Sequence, residues 1–349
     1  MRISRILFLF TMFSACSRNK EPWIIYQTGT HERLRAVSVA NDQVVWASGN
    51  HGTCIRSTDG GSSWQKIAVS ESDSLDFRDV EGFDADSALL LSIGPGSLSR
   101  IYKTTNGGHD WKITFLNDDT NAFFDAMAFG NQRCGFALSD AVNGHLVILT
   151  TLDGGTSWSS IPGDFIPSAL PGEGAFAASG TCITALGGSV WIGTGVRTSR
   201  VFYSHDLGKS WDVTALSTDS GSISSGIFSV AFWDSLHGVT VGGDYRMERT
   251  GGRNVARTSD GGSTWTISPD TIHFRSAVIW LSKTTLLAVG PSGSDYSQDG
   301  AKTWSPLDSV GFHAVDSSPS GKSVWAVGED GIVARLNRAT LERLYTAQK

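Results

Sequence analysis

The 349 residues carry 28 Lys and Arg against 34 Asp and Glu, a formal net charge of −6, with only 18% of positions charged. That acidic balance argues against the basic footprint that nucleic-acid binding needs, so no nucleic-acid partner is expected. Forty glycines and twelve tryptophans among 40% apolar residues indicate a folded chain of short strands and tight turns, with no long amphipathic helix.

The N-terminus stands apart from the rest. Arg2 and Arg5 precede an apolar run from Ile6 to Phe13, too short to span a bilayer, and small residues then lead to Cys16. This is the layout of a secretory signal. Small residues directly before a cysteine resemble the bacterial lipobox, with Phe13 where Leu is usual. Residues 1–16 are therefore expected to be a lipoprotein signal with Cys16 lipidated, and an ordinary signal peptide cut nearby is the alternative. Residues 17–22 read as a linker, 23–345 as one folded body and 346–349 as a tail. The resulting localisation is the bacterial cell envelope, with the chain held to the membrane by lipid.

From residue 34 onward one grammar repeats. A short apolar strand comes first, as in "LRAVSV" (Leu34 to Val39), "FDAMAF" (Phe124 to Phe129) and "IFSVAF" (Ile227 to Phe232). After a polar turn a second strand ends in small residues, as in "VVWASG", "VTVGG" and "LLAVG". A third strand runs into a turn of the form Ser/Thr-x-Asp-x-Gly-x-x-Trp, and a fourth leaves it. Six such turns centre on Asp59, Asn106, Asp153, Asp206, Asp260 and Asp299, and recur every 39 to 54 residues. The unit near Gly174 to Gly195 matches least well, and its first strand is hard to place.

Four antiparallel strands per repeat make a propeller blade. In each turn the Asp carboxylate is expected to accept backbone N–H groups, the glycines to take backbone angles costly for other residues, and the Trp to pack back over the turn. The turns are thus folding staples, not catalytic loops. A seventh unit begins at Phe312 but has no such turn, and "PWIIYQTG" at the N-terminus looks like its missing fourth strand. The fold expected is all-β: a seven-bladed propeller closed by the N-terminal strand, preferred over a six-bladed ring with a loose end.

These turns resemble Asp-box, or bacterial neuraminidase, repeats. The fuller pattern is similar to the photosystem II assembly/stability factor family of propellers, and more distantly to repeats of sialidases, xyloglucanases and sortilin ectodomains. The resemblance covers about Trp23 to Arg338. It implies fold strongly and function weakly, since propellers host unrelated activities.

A site is expected on the face opposite the turns. One repeated position just inside the first strand carries Arg35, Arg78, Asp125, Phe228, Arg275 and His313. Arginines converging there suit a carboxylate, and the resemblance implies an arginine patch. The competing reading pairs them with Asp79, Asp125 or other nearby acids. The long loop Gly242 to Asn254 adds Tyr245, Arg246, Glu248, Arg249 and Arg253, either as a binding loop or as a solvated insertion. Arg35, Arg78, Arg275, His313, Arg246 and Arg249 are the expected binding set, for an acidic or C-terminal peptide group.

Catalysis is the weaker expectation. Asp79, Glu81, Asp125 and Asp244 are available acids for a glycosidase, yet no arginine triad with a placed tyrosine, phosphate loop or metal spacing stands out. No metal or cofactor is expected. Cys54, Cys134 and Cys182 read as free thiols. The function expected is a non-catalytic, monomeric, lipid-anchored propeller that binds a protein or peptide partner as an envelope assembly or scaffold factor. The alternative is a glycoside hydrolase or carbohydrate-binding propeller of the sialidase-like type.

Overall fold

The first repeat shows how the pattern becomes structure. Leu34–Val39, Val45–Gly49, Cys54–Ser57 and Gln65–Ile67 pair antiparallel in that order, the inner strands buried and the fourth largely exposed. The computed structural model describes residues 21–196, 198–218 and 221–346. Among these, twenty-eight strands form seven four-stranded sheets. The architecture is a seven-bladed β-propeller. Cys16 and the rest of the signal segment lie outside the described residues.

Blade 7 is built from both ends of the ring. Its inner strands are Ala314–Ser317, Val324–Val327 and Val333–Leu336, and the fourth is Trp23–Tyr26. Trp23 pairs with Leu336 and Tyr26 with Val333, so the N-terminal strand is the fourth strand of the last blade, as expected from the sequence. Trp23 is buried against Phe312, with ring centroids 4.8 Å apart, and its Nε1 donates to Ser294 Oγ of blade 6 at 3.3 Å.

The apolar side chains gather between blades. The cluster joining blades 1 and 2 holds Trp46 and Ile67 from one with Phe77 and Leu90 from the other. Equivalent clusters fill the remaining junctions, including blade 7 with blade 1. Neighbours are also tied by polar bonds. Trp46 Nε1 donates to Asp84 O, and Trp191 Nε1 to Gly261 O, each in the next blade.

The six turns follow one bonding scheme, which refines the expected one. In the first, the buried Ser57 hydroxyl accepts from Gly61 N at 2.8 Å and donates to Asp59 Oδ1. Asp59 Oδ1 accepts Ser63 N, and Oδ2 accepts the Ser63 hydroxyl at 2.6 Å. In the second turn Asn106 replaces Asp, and the polarity is inverted to match: its Nδ2 donates to Asp110 Oδ2 at 2.9 Å. The buried acceptor is therefore the Ser/Thr hydroxyl, while the Asp side chains stand largely in solvent. Gly61 sits at φ +88, and a Cβ there would meet the Trp325 ring of blade 7 at 2.2 Å.

One element has no counterpart in the sequence reading. The helix Arg338–Thr346 follows the last strand, begun by Asn337, whose Oδ1 accepts Thr340 N at 2.7 Å. Leu341 and Leu344 bury into the cluster between blades 6 and 7. Tyr345 OH and Leu344 O bond Gly321 and Gln298 on the face of the six turns, so the helix covers the place where a seventh turn would sit.

Two outcomes follow from this packing. Trp23→Ala should lower the unfolding free energy by about 3–5 kcal/mol in urea denaturation, because it opens the junction of the first and last strands; an unchanged midpoint would refute the closure role. Thr151→Val leaves the Gly155 N–H without its acceptor and should cost about 1–3 kcal/mol, more than Asp153→Ala. The turn carboxylates are held below their ordinary range, Asp206 at about 2, chiefly by the Ser210 hydroxyl and backbone N–H. A depressed folded pKa means that this contribution is complete above the unfolded carboxylate pKa of about 3.9 and is lost as pH falls toward 2. Urea midpoints measured from pH 5 to 2 check the sign.

Candidate functional site

The repeated position that carries the arginines has a geometric cause. In blades 1, 2, 3 and 5 the pairing of the first two strands skips one residue. The skipped residues are Arg35, Arg78, Asp125 and Phe228. A bulge of this kind re-aims the extra side chain away from the ladder, here at the upper end of the central channel. Arg275 and His313 precede the first strands of blades 6 and 7.

The poorly matching fourth unit supplies the floor. Its first strand is only Ile183–Leu186, and the stretch 174–181 before it crosses the channel. Ala175 N donates to Asp140 of blade 3, and Arg78 of blade 2 donates to Ala177 O at 2.7 Å. Phe176 stacks on Phe228 of blade 5, with centroids 4.0 Å apart and rings 9° from parallel. Ser179 Oγ donates to Ser276 O of blade 6, and Val230 N to Thr181 O. Gly180 sits at φ +77, where a Cβ would strike Asp79 Oδ1 at 2.3 Å, so only glycine lets the crossing close on blade 2.

Above this plug lies a pocket of about 450 Å³. Arg33, Arg35, Arg78 and His313 line it from blades 7, 1 and 2; Phe176, Phe228, Phe274 and Tyr245 line it from the plug and blades 5 and 6. Below the plug a second chamber of about 250 Å³ is lined by Asp79, Glu81 and Asp316 among small and apolar residues. Burial pushes Asp79 and Glu81 up to about 8 and Asp316 up to about 6. Asp79 takes the Met127 and Val80 backbone N–H groups and Asp316 that of Val39, so these two acids latch neighbouring strands. Asp125 is buried beside Asp140, and desolvation raises it well above the ordinary range. None of the four acids named as glycosidase candidates lines the upper pocket.

The basic residues are not equivalent. Arg275 is buried and fully bonded: its Nε and Nη2 meet Asp295 Oδ2 at 2.6 Å, and Nη1 donates to Phe274 O and Ser292 Oγ. It does not line the pocket, which corrects its place in the expected binding set. Arg78 pairs with Asp76, not with Asp79 or Asp125, and also holds the plug. Arg33 donates to Glu329 Oε2 at 2.8 Å. The His313 ring is buried, 2.9 Å from Glu329 Oε1; burial and the nearby Arg35 charge lower its pKa, so it is a neutral partner and not a cation.

Arg35 is the exception. The side chain is half-buried, its Nε is enclosed without a hydrogen-bond partner, and it forms no ion pair among the described residues. Burial, then the Arg78 and Arg33 charges, bring it down to about 9, which leaves it charged at neutral pH.

The long blade 5 loop contributes other residues than expected. Tyr245 and Glu248 line the pocket; Arg246 and Arg249 are exposed and do not. Arg246 instead lies over the Tyr245 ring, 5.8 Å from its centroid. Arg200, on the third strand of blade 4 (Ser199–Ser204), is held by Glu173. Sequence reading passed over Arg33, Glu329 and Phe176. Arg33 alone had a signal, its place two residues before Arg35. Cys54 and Cys182 are buried and Cys134 half-buried, all three free.

No family model and no curated protein sequence matches the chain. Solved structures do. YCF48 bound to D1 peptide superposes with a TM-score of 0.64 at 15% identity, over 91% of this chain and 97% of that one. YCF48 from Cyanidioschyzon merolae gives 0.64 at 18%, over 90% and 98%. The GH74 xyloglucanase from Xanthomonas campestris gives 0.64 at 17%, over 91% of this chain but 54% of the enzyme. What they share is the propeller. At these identities the likeness carries the fold and leaves the pocket to be read from its own residues.

The bonding of Arg275 makes a testable claim. Arg275→Met strands Asp295 in a buried site and should destabilise by about 3–5 kcal/mol. Chemical denaturation giving less than 1 kcal/mol would mean that Arg275 is not a structural pair.

Proposed function

We propose that this chain is a non-catalytic, lipid-anchored propeller of the bacterial cell envelope that holds an acidic or C-terminal peptide group of a protein partner, acting as a monomeric assembly or scaffold factor. One observation carries the reading: Arg35 is half-buried in the pocket with its Nε enclosed and lacking a hydrogen-bond partner, and it forms no ion pair among the described residues, whereas the pocket's other arginines are paired. A buried donor of this kind is costly unless a ligand completes it, and a planar guanidinium is matched by a carboxylate. A neighbouring propeller that holds a D1 peptide supports a peptide as the ligand class. The anchor rests on the residues leading to Cys16.

A glycosidase reading has one observation in its favour: two carboxylates, Glu248 and Glu329, face the same pocket. A glycoside hydrolase needs one of its pair to keep a proton at working pH. Hydrogen bonds from Arg33 and His313 instead hold Glu329 below its ordinary value. That excludes Glu329 only from the acid role, and the binding reading is preferred because it accounts for the unpartnered Arg35 Nε; assays on β-glucans and sialosides should show no turnover.

The test is fluorescence polarisation with labelled acidic hexapeptides bearing free C-termini. The wild type should bind, more weakly as salt rises, and Arg35→Gln should lose about 10- to 150-fold in affinity, the worth of a hydrogen bond to a charged group. The same variant should be as stable as the wild type or more so, since it removes a like-charge cluster. Absence of binding by the wild type, or equal binding by Arg35→Gln, would overturn the reading. The intact mass of the mature chain reads out the anchor, which requires a diacylated Cys16 at its N-terminus.

A further inference from the structure

The pocket has two unlike walls, and the proposed carboxylate accounts for only one of them. Across from Arg35 stands a built aromatic surface. Phe176 and Phe228 are stacked, Phe274 meets Phe228 edge-on at 4.7 Å, and Tyr245 stands edge-on to both Phe176 and Phe228. Ala177, Ala178 and Pro291 complete the apolar lining. Phe228 and Phe274 are buried, but Phe176 is only partly covered and Tyr245 is 43% exposed, so apolar ring area faces the pocket.

This wall is held in place before any ligand arrives. Phe176 lies on the channel-crossing stretch, between Ala175, bonded to Asp140, and Ala177, bonded to Arg78 and Asp125. A ligand therefore meets rings that need little ordering, which favours affinity. Glu248 lies on the same side as Tyr245 and opposes a second negative charge there.

We infer that the pocket reads a free chain terminus as a unit, with the terminal carboxylate on Arg35 and a large apolar terminal side chain on the Phe176–Phe228–Tyr245 wall. This rests on the carboxylate reading given above and narrows it. In a C-terminal residue the carboxylate and the side chain leave the same Cα, so a charged end and an apolar end lie a few ångströms apart in fixed relation. An internal Asp or Glu has its carboxylate at the tip of the side chain and offers nothing apolar beyond it. A volume of about 450 Å³ is at the lower end of small-ligand pockets, and suits one or two residues better than a longer segment.

The experiment uses the full chain and five fluorescein-labelled hexapeptides that share a Gly/Ser body. Four end in Phe, Leu, Ser or Asp as free acids, and the fifth is the Phe peptide as its amide. The Phe and Leu acids should bind about tenfold or more tighter than the Ser acid, from burial of the terminal side chain. The Asp acid should be no better than the Ser acid, and the amide should lose most of the affinity. Tyr245→Ala should weaken the Phe acid more than the Ser acid and so reduce the preference for Phe over Ser; Phe176→Leu should reduce it partially. Equal binding of the Phe and Ser acids overturns this inference and leaves the carboxylate reading standing. An amide that binds as well as its acid overturns the terminal-carboxylate assignment. If none of the acids binds, the carboxylate reading itself fails, and this inference falls with it.

Discussion

Every blade depends on its neighbours for its core. A four-stranded sheet is apolar on both faces, and here those faces are covered by the blades on either side, with one cluster at each junction. Such an array is stable only if it closes, because an open end would expose two apolar faces and a strand edge. Closure is made by pairing Trp23–Tyr26 with Val333–Leu336, and Trp23 carries it into the junction with blade 6. The helix Arg338–Thr346 then covers the lower rim of that junction.

Closure also creates the site. It brings the upper ends of the first strands around one axis, so that Arg35, Arg78 and Phe228 share a pocket although they are far apart in the chain. The bulges that skip these residues are what free their side chains from the ladder. Without the crossing by residues 174–181 this would be an open channel; with it the upper pocket has a floor, and the lower chamber lined by Asp79, Glu81 and Asp316 is a separate space. The weakest repeat is thus the one that shapes the site, since its residues before Ile183 serve the channel and not the blade.

The charges show how one sequence position takes different roles. Arg275 has Asp295 on the third strand of its own blade and is consumed by it. Arg78 finds Asp76 and the plug, and Arg33 finds Glu329. Arg35 has two arginines as neighbours, and Asp76 and Glu329 act on it only at a distance, so its enclosed Nε is left without a hydrogen-bond partner. What separates a paired arginine from Arg35 is the acid its own surroundings supply, Asp295 for Arg275, Asp76 for Arg78 and Glu329 for Arg33.

Much of the fold was legible because it is written in local, repeated chemistry. The strand alternation, the Ser/Thr-x-Asp-x-Gly-x-x-Trp turns and the unfinished last repeat each follow from short-range rules of pleat, turn and edge. They were enough for blade type, blade number and the pairing of Trp23–Tyr26. The helix Arg338–Thr346 escaped because its signals, a capping Asn337 and Leu341 three residues before Leu344, span barely two turns. The aromatic wall, the plug and the partners of Arg33 and Arg275 were set by tertiary structure alone. Phe176 touches Phe228 and Arg78 touches Ala177 only because the ring has closed around them, and contacts made across an axis leave no periodic trace in the chain.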